Sequence, residues 1–160
     1  MAAALISEDD LKLAIGPGAD EQLRQLAGDD NTGAPIAARV TYGIDVASEE
    51  AYGLLLSGFE TNERIQALAE NDPLVRHSIA MIARETLAMG REQFRLPDGK
   101  CCFSPDARVA RDALREKSRG AKRTSAETTA AGRSALLRPR GSDGGVRSYL
   151  TDSCGRPRGF

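Results

Sequence analysis

Seven apolar residues, Ile36, Val40, Ile44, Ala47, Ala51, Leu55 and Phe59, follow one another at intervals of four, four, three, four, four and four. That spacing tracks the 3.6-residue period of an α-helix and puts all seven on one face. It predicts a long amphipathic helix over about 35–57. Gly58 then stands where a left-handed C-terminal residue is expected, with Phe59 folding back onto the last turn. The stretch 38–44 is the one β-tolerant part of the body, and its spacing is helical. An all-α fold follows.

The remaining elements are marked mainly at their ends. Ser7 followed by Glu8, Asp9 and Asp10 reads as an N-cap and an acidic first turn, and Gly16-Pro17 stops the helix, giving 8–15. Ile6 and Leu11 occupy hydrophobic-staple positions. A short amphipathic piece over Glu21–Ala27 precedes the loop Gly28-Asp29-Asp30-Asn31-Thr32-Gly33, and another short turn of helix covers Glu63–Ala69. Asp72-Pro73 repeats the cap signal with proline at the first helical position. From there Val75, Ile79, Ile82 and Thr86, flanked by Leu74, Met81 and Leu87, give a stripe wide enough for a core helix to about Gly90. Leu96-Pro97-Asp98-Gly99 is a turn. Ser104-Pro105-Asp106 opens a last helix to about Lys117, anchored by Val109, Ala110, Ala113 and Leu114 and displaying Arg108, Arg111 and Arg115. The expectation is a small bundle of about four helices, with Val40, Ile44, Ala51, Leu55, Val75, Ile79 and Ile82 on its core or subunit-facing helix faces.

Composition changes at Ser118. Residues 1–117 carry 13 Lys/Arg against 20 Asp/Glu, whereas 118–160 carry nine basic residues against Glu127, Asp143 and Asp152. An overall charge of -1 conceals this segregation into an acidic body and a basic arm. Few sizeable apolar residues remain in the arm, too few to offset an ordering cost of roughly 1–2 kcal/mol per residue, so it is expected to stay unfolded alone. They cluster, however. Leu136 and Leu137 with Arg138 and Arg140, Val146, Arg147, Tyr149 and Leu150, and terminal Arg156, Arg158 and Phe160 form three short motifs suited to docking on a partner. A solubilising tail and phosphate contact through the arginines stay open beside that reading, although a dense basic run and interleaved aromatics are lacking.

Candidate chemistry is thin. His77, the single histidine, sits on the core-helix stripe with no triad or metal set around it and reads as a packed or half-exposed structural residue. Cys101 and Cys102 lie in a loop, and with Cys154 they make an odd set without zinc-ligand spacing. A reduced compartment follows. The glycines of Gly16-Pro17-Gly18 and 141–145 lack the context of a phosphate loop. The acidic pairs Asp9-Asp10, Asp29-Asp30 and Glu49-Glu50 diverge on a helix and read as solvated or subunit-facing surface. No catalytic residue, metal or cofactor is expected, and neither a signal peptide nor a membrane span.

The order of these parts resembles the head-tail connector, or adaptor, proteins of tailed bacteriophages, including small Mu-like prophage head-completion proteins. Three stretches carry the likeness: Leu5-Ile6-Ser7-Glu8-Asp9-Asp10-Leu11; Ala38-Arg39-Val40 through Ala47-Ser48-Glu49-Glu50-Ala51-Tyr52-Gly53-Leu54-Leu55; and the helix from Asp72-Pro73-Leu74-Val75 to Ile82-Ala83-Arg84-Glu85. Two departures are plain. Glu85 stands where an aromatic is common, and Ser57-Gly58-Phe59-Glu60 replaces an Arg-Tyr ending of the long helix.

The resemblance implies a structural, non-enzymatic subunit of a ring of twelve copies in the virion neck, made in the host cytoplasm. Its C-terminal arm would dock on the portal protein, and its body would meet a tail-side neck or tail-terminator protein. Genomic DNA would pass through the lumen without sequence-specific binding, and an acidic body suits that passage. Two other classes compete: a small nucleic-acid-binding regulatory protein using the basic tail, and a cysteine-dependent enzyme using Cys101 or Cys102.

Overall fold

The computed structural model describes residues 3–136, with side chains described to Thr124. Among the described residues there are six α-helices and one 3-10 turn: α1 (Glu8–Ile15), α2 (Ala19–Ala27), α3 (Ala37–Phe59), α4 (Asn62–Asn71), α5 (Pro73–Met89), the turn Glu92–Phe94 and α6 (Ser104–Leu136). Among the described residues, pairing outside helices is limited to the isolated bridges Asp29–Pro35 and Arg95–Cys101. The first compact unit is Met1–Glu127; of the second, Thr128–Phe160, only the helical residues to Leu136 are described.

Local signals explain most of these boundaries. Ser7 Oγ accepts from the Asp10 backbone N–H while the Asp10 carboxylate accepts from the Ser7 N–H, a reciprocal box that fixes the start of α1. Thr61 caps α4 and Asp72 caps α5 by accepting from Leu74 N–H at 3.0 Å. The two short helical pieces are full helices, so the bundle has six members where the sequence suggested about four.

α5 is the central helix. It packs on α1, α2, α3 and α4 and is buried almost all round, from Val75 to Ala88. Val40, Ile44, Ala51, Leu55, Val75, Ile79 and Ile82 all lie in the core of the chain. The N-terminal segment docks on α3, where Leu5 N–H donates to Ser48 Oγ and the Tyr52 hydroxyl donates to Ala3 O.

Four expectations are corrected. α3 does not stop at a left-handed Gly58: that glycine is helical, and the reversal falls on Glu60, with φ of 64°. α6 does not end near Lys117 but continues to Leu136, and Ser118 is buried. Extending an anchored helix into Ala-, Lys- and Arg-rich sequence needs no new nucleation, and a count of buried apolar groups does not include that gain. The contact face of α6 is Ala107, Ala110, Leu114 and Ser118, while Val109 is 70% exposed and Ala113 is also exposed. Finally, Arg111 is turned inward.

Arg111 ties three helices together. Its Nε and Nη2 meet the two Glu50 oxygens on α3 at 2.6 and 3.1 Å, and Nη1 meets Glu85 on α5 at 2.6 Å. Hydrogen bonding to Glu50, helped by Glu85, raises the guanidinium pKa against the opposing effect of burial. Glu50 is therefore not free surface. Glu85, 2% exposed, is a buried carboxylate whose one described partner is this arginine.

Candidate functional site

The most accessible apolar side chains of the described residues meet where α1 runs beside the start of α5. α1 buries Leu11 and must turn Leu13 outward, since residues two apart on a helix point to different sides; Leu13 is 82% exposed. Leu74, second residue of α5, is 75% exposed because its neighbour Val75 takes the inward position. A depression of about 290 Å³ lies between them, with Pro73 and His77 on one side and Ala14 on the other.

A second depression of about 410 Å³, lined by Leu5, Ile6, Ala69 and Glu70, shares Asp10 and Arg76 with the first. The result is a furrow along α1, the end of α4 and the start of α5. Its polar floor is already organised. Arg76 Nε pairs with Asp10 at 3.2 Å, and Nη1 donates to the Ala69 and Glu70 carbonyls at 3.0 and 2.7 Å, closing the C-terminal end of α4. Glu70 adds a carboxylate to the lining of the second depression.

Such a furrow is suited to recognition. Covering a leucine completely is worth roughly 1.5–3 kcal/mol, and the Asp10 and Arg76 charges between the two depressions are already paired with each other. His77 is exposed at the edge of the furrow rather than packed in the core. Asp10 caps α1 and pairs with Arg76, Asp29 pairs with Arg24, and Asp30 accepts three bonds inside its loop, which hold its carboxyl below the usual range. These carboxylates do local structural work, and no acid/base dyad is formed by them.

Cys101 is buried and Cys102 half-buried. Burial pushes the Cys101 thiol up, away from the thiolate form that a nucleophile needs. Among the described residues no group of three or more His, Cys, Asp or Glu side chains is gathered as a metal site, and no helix is long and apolar enough to cross a membrane.

Of the residues expected in a docking arm, Leu136 closes α6. Leu137, Arg138, Arg140, Val146, Arg147, Tyr149, Leu150, Arg156, Arg158 and Phe160 lie outside the described residues. Leu13 is not among the residues that the periodicity selects, and Leu74 flanks the core stripe. A sharper signal was there: each is a leucine one or two positions from a better-phased apolar neighbour, Leu11 or Val75. No protein-family model matches the chain, and no match to a curated protein or a solved structure was found.

Proposed function

We propose that this chain is a structural subunit of a tailed-phage head-tail connector ring, joining the portal to the tail or the next neck component. The observation that carries the reading is the furrow edged by Leu13 and Leu74, an apolar face with a fixed polar floor. In this role a neighbouring subunit covers the furrow. The contact is head-to-tail, which closes into a ring, with twelve copies as the resemblance implies. The basic arm of residues 118–160 docks on the portal through its arginines and apolar clusters. The acidic body lines a lumen through which DNA passes without being held.

Support comes from the all-α architecture, from the three sequence stretches that resemble connector proteins, and from the segregation of charge between body and arm. The test is electron microscopy with mass spectrometry of isolated necks from the particles that carry this chain. A ring of this protein beneath the portal is expected; particles whose necks lack it would end the proposal. A monomer in dilute solution does not decide the matter, because the portal orders the assembly.

A further inference from the structure

A second groove lies away from the furrow, between the end of α2, the start of α3 and the end of α5. It measures about 240 Å³ and is lined by Leu26, Arg39, Tyr42, Leu87, Gly90 and Arg91, with Thr86 beside them. The two arginines have an evident structural task. The last four carbonyls of a helix lack intrahelical partners, and in α2 each finds one: Arg24 O from Gly28 N–H at 2.8 Å, Gln25 O from Gln93 Nε2 at 3.1 Å, Leu26 O from Arg91 Nε at 3.2 Å and Ala27 O from Arg39 Nη1 at 3.2 Å.

That task leaves most of their binding capacity unused. A guanidinium has five N–H donors, and each arginine spends one on α2. Neither has a carboxylate partner among the described residues, and no acidic residue lines the groove. The end of α2 supplies roughly half a negative charge, so about one and a half positive charges stay uncompensated, in a body where carboxylates outnumber bases. The Tyr42 hydroxyl, on a side chain 65% exposed at the groove, makes no hydrogen bond among the described residues and is available to donate.

The arrangement is also held in place. Gly28 has φ of 89°, and the Arg91 guanidinium lies directly over it: a Cβ there would come within 3.2 Å of Arg91 Cζ and closer still to Nη2. Leu26 and Leu87 wall the groove and lower the local dielectric, which strengthens charged contacts inside it.

We propose that this groove is a binding site for a phosphate group, as inorganic phosphate or a phosphate monoester. The two arginines would grip its oxygens, and Tyr42 would donate from the mouth. A phosphate monoester carries about -1.5 to -2 charges and three acceptor oxygens, which matches the residual charge and the two-sided array of donors. A carboxylate, with one charge and two oxygens, would leave the site positive. The volume suits the phosphate and the first atoms of its stem.

Calorimetric titration of the full chain with inorganic phosphate, with phosphoserine and with acetate, at matched ionic strength, tests this. Saturable binding of phosphate or phosphoserine is expected, and whichever binds tighter identifies the source; acetate binding as tightly as both would overturn the assignment, as would the lack of saturable binding. Gly90 has φ of -79° and open space around its Cβ position, so Gly90→Glu sets a competing carboxylate in the groove without touching the α2 cap. It should weaken phosphate at least tenfold while Gly90→Ala does not. Tyr42→Glu, at an exposed position, repeats the test should Gly90→Glu lose its helical circular dichroism. Unchanged phosphate affinity in a folded charged variant refutes the site.

Discussion

The backbone of Ser118 on α6 lies directly on Gly58 of α3. A Cβ at position 58 would come within 2.8 Å of Ser118 Cα and of its carbonyl carbon, and closer to its oxygen. Ser118 Oγ meets Ser57 Oγ at 2.9 Å and donates toward Leu55 O at 3.4 Å. The helix is thus clamped to α3 at the residue where the sequence turns basic and Gly-rich.

Gly58→Ala should therefore destabilise the chain by about 1–3 kcal/mol, the usual cost of overpacking where backbone must move. Chemical denaturation reads the loss, and amide exchange near Ser118 should accelerate with it. An unchanged midpoint would mean that the two helices do not approach this closely.

Truncation separates the clamp from the rest of the arm. A chain ending at Lys117 loses both hydroxyl contacts of Ser118, worth on the order of 1 kcal/mol together with its burial, while one ending at Thr124 keeps them. The shorter chain should melt lower. Equal melting temperatures would place the structural boundary back at Lys117.

Arg111 presents a larger effect. Arg111→Met removes the described ion-pair partner of a carboxylate that is 2% exposed, and breaking a buried pair from one side typically costs about 3–5 kcal/mol. Adding Glu85→Leu should recover much of that loss, because it removes the stranded charge and fills the site with apolar atoms. Failure of the double variant to recover would show that the triad stabilises through more than charge pairing.

How these features stood in the sequence varies with their range. The starts of α1 and α5 were legible because a cap and its partner are three or fewer residues apart, as in Ser7–Asp10 and Asp72–Leu74. The core stripe of α3 was legible for the same reason, since its period is local. Arg111 was read as displayed because its partners are 26 and 61 residues away. Glu85, buried on α5 with Ile79, Ile82 and Leu87, was the local hint that a buried cation must come from elsewhere. The continuation of α6 past Lys117 was missed because a small polar residue, Ser118, makes the contact there, and hydrophobicity patterns give such residues no weight. The furrow depends on which side of α1 faces α5, a tertiary choice with no local signature.

Asp72 supplies a pH signature. Its carboxyl is held below the usual range, first by the hydrogen bond from Lys117 Nζ at 2.5 Å and also by the Leu74 N–H that it caps, against the opposing effect of desolvation. A carboxylate with a depressed folded-state pKa stabilises the fold above its unfolded value of about 3.9, and that contribution disappears as pH falls through the folded-state value. Asp72→Asn keeps a capping oxygen but titrates nothing, so its stability should fall less steeply than the parent's as pH drops below about 4. Parallel pH curves would remove Asp72 from the acid response.

In the proposed connector ring a neighbouring subunit covers the furrow, and its leucines can be changed without touching the core. Leu13 and Leu74 are both largely exposed, so Leu13→Asp and Leu74→Asp should alter monomer stability by no more than about 0.5 kcal/mol, the range for surface changes away from packed contacts. In a subunit interface the same changes would bury an unpaired carboxylate beside Asp10 and forfeit the burial of a leucine, at every repeat of the ring. Each variant should be produced, melt with the parent chain, and yet be missing from assembled necks, as measured by mass spectrometry of purified particles. Normal incorporation of both variants would remove the furrow from the subunit contact and leave α6 with its basic arm as the remaining route to a partner.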